Sequence, residues 1–311
     1  MLLGTGAAIG GAAWWAAKYQ GRSARLVRTL IADARRPILA APAVPNPKRW
    51  SDNDLSIAWL GHSTVLINFF GITILTDPAL GRRVGVSLGL GTVGPKRYIA
   101  PALTLKELPA IDLVLLSHAH MDHMDLPTLS GFGQQVSFVT ASLTRDVVSA
   151  AGVKQITELG WNESKTFCFG NGELHIRALE VKHWGRRWPR DLERGYNAYA
   201  LTRGGKSILF GGDTAHTELF KEHRAHGPFE AAIMPIGAYD PWIWNHCSPE
   251  QAVQMADWAG ARHIVPVHHQ TFRLSNEPMK EPIERIESAL AKEAGRLALK
   301  QVGETFICPL V

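Results

Sequence analysis

The chain has 311 residues, room for one large domain or two small ones, and its 46% apolar content suits a globular protein with a sizeable core. The net charge of +5 comes without dense Lys/Arg runs, which excludes an ordinary nucleic-acid binder and leaves a mild bias towards anionic partners. Cys168, Cys247 and Cys308 are odd in number and far apart, which excludes a disulfide framework and a zinc-finger spacing.

Residues Met1 to Ala17 are almost wholly apolar, with Trp14 and Trp15 near their end and Lys18, Arg22, Arg25 and Arg28 behind them. A spanning helix needs about 20 apolar residues. Trp beside cations is what a membrane interface prefers. An N-terminal apolar helix that associates the protein with a membrane is therefore expected. The positive-inside tendency puts the following domain on the cytoplasmic side. The competing expectation is a helix packed on the domain. Ala41 to Pro47 holds three prolines and reads as a linker. This predicts a helical segment and linker over 1–48 and a globular domain over 49–311.

Leu55 to Phe70 alternates as a hairpin does, with Gly71 as punctuation, and Ile72 to Leu75 predicts a strand closed by Thr76-Asp77-Pro78. Gly81 to Pro101 reads as a long Gly-rich loop bearing Arg82, Arg83, Lys96 and Arg97. Leu113 to Leu116, just after Ile111-Asp112, is an unbroken apolar run, suited to a strand buried on both faces. At Ser117 it gives way to His118-Ala119-His120-Met121-Asp122-His123-Met124-Asp125. Imidazole nitrogen and carboxylate oxygen are what a borderline cation such as Zn²⁺ takes when no thiolate is offered.

Later strands end in the same chemistry. Val136 to Thr140 predicts a strand and Leu143 to Ala151 a helix stopped by Gly152. Leu174 to Val181 runs into His183, Ser207 to Phe210 into Gly211-Gly212-Asp213, and Ala231 to Pro235 into Gly237-Ala238-Tyr239-Asp240. Ile264 to Val267 runs into His268-His269. Ser248-Pro249-Glu250-Gln251 reads as a capped helix start closed by Gly260, and Glu281 to Gly295 as an amphipathic helix. The carboxyl ends of strands are where open α/β sheets hold their sites.

Spacing assigns His118, His120 and His183 to one metal. Asp122, His123 and one of the adjacent pair His268 and His269 go to a second, with Asp213 bridging. Asp77, His62 and Asp125 are candidates for orienting ligands from behind, Asp125 through the far nitrogen of a ligating His. A hydroxide held between the metals is the expected nucleophile.

His118-x-His120-x-Asp122-His123 resembles the signature of the metallo-β-lactamase-fold hydrolases. Gly94-Pro95-Lys96-Arg97, Gly211-Gly212-Asp213-Thr214, Gly227-Pro228-Phe229 and Pro235-Ile236-Gly237-Ala238-Tyr239 look like N-acyl-phosphatidylethanolamine-hydrolysing phospholipase D and its bacterial relatives. So do His246-Cys247-Ser248-Pro249-Glu250 and His268-His269-Gln270-Thr271-Phe272. The similarity runs from about Trp50 to Phe272. It implies an α/β chain folded as an αββα four-layer sandwich, two zinc ions, phosphodiester hydrolysis, His268 as the ligand of the pair, and His246 over the phosphate. The N-terminal segment and Gly185-Arg186-Arg187-Trp188-Pro189-Arg190 depart from the family.

On this reading Asp122, Asp213 and His246 are the catalytic candidates, with His246 as general acid. Tyr239, Trp242 and Arg186 join His246 as substrate contacts. Trp184, Trp188, Trp242 and Trp244 suit either rim packing or an apolar groove for acyl chains. The expected partners are a phospholipid or another phosphodiester and a membrane surface, and not nucleic acid. A lactonase or β-lactamase on the same metals is the alternative, and a non-catalytic metal-stabilised module a more distant one.

Overall fold

In the computed structural model, which describes residues 33, 35–87 and 91–308, the run before Gly71 folds as a hairpin of β1 (Leu55–Gly61) and β2 (Thr64–Phe69). The helix expected over Met1–Ala17 lies outside the described residues. β3 (Ile72–Thr76) adds antiparallel to β2. The stretch expected as a loop from Gly81 to Pro101 contains a small antiparallel pair, β4 (Val86–Ser87) and β5 (Thr92–Val93).

The apolar run before Ser117 becomes β6 (Leu113–Leu115), parallel to β3 and buried at every position. β7 (Ser137–Ala141) and β8 (Ile156–Leu159) continue the sheet in parallel. A second sheet is built from β9 (Ser164–Phe169), β10 (Gly172–Leu179), β11 (Ala198–Arg203), β12 (Lys206–Phe210), β13 (Phe229–Pro235) and β14 (Ala261–Val267). β15 (Thr305–Cys308) returns to pair with β1, so the first sheet reads β15-β1-β2-β3-β6-β7-β8 and the second β14-β13-β12-β11-β10-β9.

Both faces of each sheet are used. Trp59, Phe69 and Leu115 from the first sheet meet Ile176, Tyr199, Phe210 and Ile233 from the second in one buried layer. Outside the first sheet, Val114, Leu116 and Phe138 pack with Leu129 of α1 (Leu126–Leu129) and Val148 of α2 (Arg145–Ala150). Outside the second, Leu209, Phe229 and Ile264 pack with Phe220 of α3 (Leu219–His223), Met255 and Ala256 of α4 (Pro249–Ala259) and Ile286 of α5 (Glu281–Ala289). The result is a helix–sheet–sheet–helix sandwich.

The expected cap of α4 forms in full. Ser248 and Gln251 make a reciprocal capping box, and Gly260 takes a left-handed φ of 76° that ends the helix. α5 stops at Ala289, short of the expected Gly295. The chain there turns through a 3₁₀ segment, Ala291–Arg296, so that Leu297 can pair with Ile264 of β14.

The chain divides into two compact units, Met1–Ile38 and Leu39–Val311. In the first, Asp33 and Arg36 form an ion pair. The Pro-rich stretch expected as a linker lies within the second. Leu39 exchanges backbone hydrogen bonds with Tyr98 and Ala100, and Ala43 donates to Val302. Among the described residues no helix is long and apolar enough to cross a membrane.

Strand direction fixes where the chemistry falls. β1, β3 and β6 run one way, as do β10, β12, β13 and β14. Every predicted metal ligand follows the carboxyl end of one of these strands.

Candidate metal centre

The motif loop is tied to both sheets. Leu116 donates to Val139 of the first sheet, and Asn197, just before β11 of the second, donates to Ser117. Gly212 shows how close the approach is. A Cβ there would lie 2.7 Å from the Asn197 carbonyl and 2.9 Å from Ser117 Cβ, at a φ of 57°. Only glycine can place Asp213 against this loop.

His118 Nε2 lies 2.8 Å from His120 Nδ1, and His183 Nε2 lies 3.3 Å from the same atom. The second cluster holds Asp122, His123 and His268. His123 Nε2 and His268 Nε2 each lie 3.5 Å from Asp122 Oδ2 and 3.1 Å from Asp213 Oδ2. Asp213 Oδ2 is also 3.9 Å from His183 Nε2, so this one carboxylate reaches both clusters. His62 Nε2 contacts Asp122 Oδ2 at 2.9 Å and joins the second cluster. His246 forms a further group with His183 and Asp213, its Nδ1 3.8 Å from Asp213 Oδ2.

The donor set fits divalent cations on three observations. His123 Nε2, His268 Nε2 and Asp213 Oδ1 are buried without hydrogen-bond partners among the described residues, a costly arrangement unless another group binds there. Burial drives His118 and His183 well below the ordinary histidine range, which keeps them in the neutral form that ligates. Burial opposes charge on Asp122 and Asp213, yet the adjacent histidines hold both carboxyls well below their usual range. Burial likewise opposes protonation of His268, but Asp213 and Asp122 pull it up to about 9. These carboxylates attract positive charge, which a cation supplies.

The far nitrogens of His118, His123 and His183 are held as ligation requires. His183 Nδ1 donates to the Asn245 carbonyl at 2.8 Å, so Nε2 offers its lone pair inwards. Asp77 accepts from His123 Nδ1 and from Ser117, whose hydroxyl contacts His118 Nδ1. The sequence reading missed Ser117 and the Asn245 carbonyl. Ser117 carried one signal, its place at the switch from apolar strand to ligand loop.

Several expected contacts fall elsewhere. Asp125 does not orient a histidine. It caps α1, with Thr128 Oγ1 donating to Oδ2 at 2.5 Å, because its side chain turns towards the helix start. Tyr239 does not line the cavity. Its hydroxyl donates to Glu281 at 2.8 Å and Arg285 covers its ring, which fixes it against α5. Arg97 is buried and donates to the carbonyls of Gly81 and Ala79, so it braces a loop instead of facing substrate. His269 is buried against Trp59, ring centroids 4.4 Å apart, facing away from the clusters.

A cavity of about 660 Å³ opens over the clusters. His120, Asp122, Asp213, His246 and His268 form its polar floor, and Trp184, Trp188, Trp242, Pro95, Pro189 and Leu274 line its walls. Trp184 packs on both His120 and His183, at 4.5 and 4.3 Å. Arg186 lines the mouth with its Nε on Glu193 at 2.7 Å. Trp188 and Trp242 are about half exposed, at 47% and 49%. Trp244, at 76%, stands outside the lining.

A family model described as the Beta-lactamase superfamily domain matches residues 73–269. An uncharacterized protein of Mycobacterium tuberculosis is 35% identical over 282 residues, covering 87% of this chain and 74% of that protein. N-acyl-phosphatidylethanolamine-hydrolyzing phospholipase D 1 of Caenorhabditis elegans is 31% identical over 255 residues, covering 77% of this chain and 71% of that enzyme. Isothiocyanate hydrolase from Delia radicum gut bacteria has the same fold, with a TM-score of 0.64 at 18% identity over 81% of this chain and 98% of that one.

Proposed function

The chain belongs to the β-lactamase superfamily as a metal-dependent hydrolase, and from that premise we propose that it cleaves phosphodiesters, with phospholipids as the natural substrates. The observation that carries this reading is the floor of the cavity. There two His/Asp clusters share Asp213, with His246 beside them, beneath walls of tryptophan.

On this proposal His118, His120 and His183 hold one Zn²⁺ and Asp122, His123 and His268 a second, with Asp213 common to both. Bound there, paired cations supply Lewis-acid stabilisation of a phosphoryl group and a water activated at neutral pH. The residues do the rest. Burial pushes His246 down to about 4, so it meets the substrate as a neutral imidazole and offers one N–H to a phosphate or leaving-group oxygen. Trp184 closes the wall beside His120 and His246 and keeps bulk water from the polar floor. Arg186 at the mouth favours an anion. Exposed Trp188 and Trp242 offer the apolar surface that acyl chains need. The apolar stretch Met1 to Ala17 is proposed to associate with the membrane surface from which such a substrate is drawn.

The test is differential. Wild-type protein should hydrolyse bis(p-nitrophenyl) phosphate, and His246→Ala should lower that turnover by about 10²-fold, the scale of one preorganised hydrogen-bond donor to developing negative charge. Any side activity on a lactone or β-lactam should fall much less. Wild-type protein that ignores phosphodiesters yet opens a lactone or β-lactam ring efficiently would sink the proposal in favour of a lactonase or β-lactamase.

A further inference from the structure

The turn that carries His120, Asp122 and His123 is bounded by two backbone carbonyls, those of Ala119 and Met124. A single atom, Arg187 Nη1, donates to both, at 2.6 Å and 3.0 Å. Inside the turn, the amides of His123 and Met124 both donate to the His120 carbonyl. The turn is thus tied from within at its centre and clamped from without at its ends.

The clamp has its own anchor. The Arg187 amide donates to Asp191 Oδ2 at 3.2 Å, and Asp191 accepts from Arg194 Nε at 2.8 Å. Arg194 is buried, forks onto Asp146 of α2 at 2.5 and 3.0 Å, and donates to the Leu143 carbonyl. An arginine whose backbone is tied this way has only its side chain left to order when it reaches the two carbonyls.

We infer that Arg187 is a positioning residue for the metal centre: it fixes the His120–His123 turn from the cavity side and so sets cation affinity and ligand geometry there. The residue also lines the cavity. The inference rests on the metal reading proposed above.

The experiment uses full-length wild type, Arg187→Lys, Arg187→Met and Arg187→Ala, each checked for folding by circular dichroism. Zinc retention is titrated against a chelator, and Co²⁺-loaded protein is followed by its visible absorption. The Met and Ala variants should bind zinc about 10- to 100-fold more weakly, the usual cost of losing a group that orients ligands. Their cobalt bands should shift while the fold stays intact. Added guanidinium ion should restore affinity in Arg187→Ala. Lysine keeps the charge but not the two in-plane N–H bonds that aim Nη1 at both carbonyls, so it should recover only part of the affinity. If Arg187→Met unfolds, Arg187→Lys and the guanidinium-treated Ala variant decide. Folded variants with wild-type zinc affinity and an unshifted cobalt spectrum overturn the role of Arg187. A wild-type chain that takes up no cation overturns the metal reading itself.

Discussion

Asp77 and His123 meet through a 2.7 Å hydrogen bond between two side chains with no exposed surface. The same carboxylate accepts the Ser117 amide at 2.7 Å and the Ser117 hydroxyl at 2.5 Å. The hydroxyl has one proton and gives it to Asp77, so its lone pair must accept the N–H of His118 Nδ1 at 2.8 Å. One carboxylate at the end of β3 therefore sets the tautomer of a histidine in each cluster, leaving both Nε2 lone pairs turned inwards.

Asp77→Ala should therefore weaken both metal positions together, by about 10- to 100-fold. A chelator titration monitored by elemental analysis reads this directly. Loss at one position alone would contradict the shared role.

The adjacent histidines should separate cleanly. His268→Ala should lower metal content. His269→Ala should keep it and instead cost about 1–3 kcal/mol of stability, since it removes a buried ring stacked on Trp59. Metal analysis paired with urea denaturation distinguishes the two, and the reverse pattern would show the ligand choice to be wrong.

Ile243 lies between Trp242 and Trp244 on an exposed loop and, unlike Trp242, is outside the cavity lining. Ile243→Glu should leave hydrolysis of a soluble phosphodiester unchanged. Hydrolysis of phospholipid presented in vesicles should fall by about tenfold, equivalent to about 1.4 kcal/mol of lost interfacial binding. Equal rates on both substrates in wild type and variant would remove this loop from interfacial action.

Arg285 joins α5 to α4 through two hydrogen bonds to Glu250, at 2.7 and 2.9 Å. Arg285 holds the Glu250 carboxyl down to about 2. A depressed carboxyl pKa stabilises the fold above the ordinary range of the unfolded chain, and the contribution is lost as pH falls from about 4.5 to about 2. Glu250→Gln should therefore cost up to about 1 kcal/mol at neutral pH, little because both groups are partly exposed. The gap from wild type should close across that acidic window. Urea denaturation at a series of pH values measures it.

Much of this was legible in the chain because the periodicity itself changes at the site. The run before Ser117 is apolar without interruption, and the polar residues that follow have no place in a core. Direction of side chains was harder to read. His268 has a φ of 65°, so strand alternation, which assumes extended backbone, could not choose between it and His269. Arg97, Tyr239 and Asp125 lie near the site in sequence, but each turns to a partner that sequence order does not reveal: the Gly81 and Ala79 carbonyls, Glu281, and the start of α1. β9 gives a weak sequence signal because Ser164–Phe169 is an edge strand that begins with three exposed polar residues and turns only Phe167 and Phe169, partly buried, to the core.

The division of ligands between the sheets has a consequence for maturation. His118, His120, Asp122 and His123 come from the first sheet, and His183, Asp213 and His268 from the second. Neither half can complete a cluster alone, so any cation held there acts as a rivet through the seam of the sandwich. The energy of loading is then also energy of closure. A chain made in a metal-poor cell would finish synthesis with a buried carboxylate, Asp213, and a partly exposed one, Asp122, on opposite sides of an open seam. Its lifetime against proteolysis would follow the supply of metal as much as the sequence that encodes it.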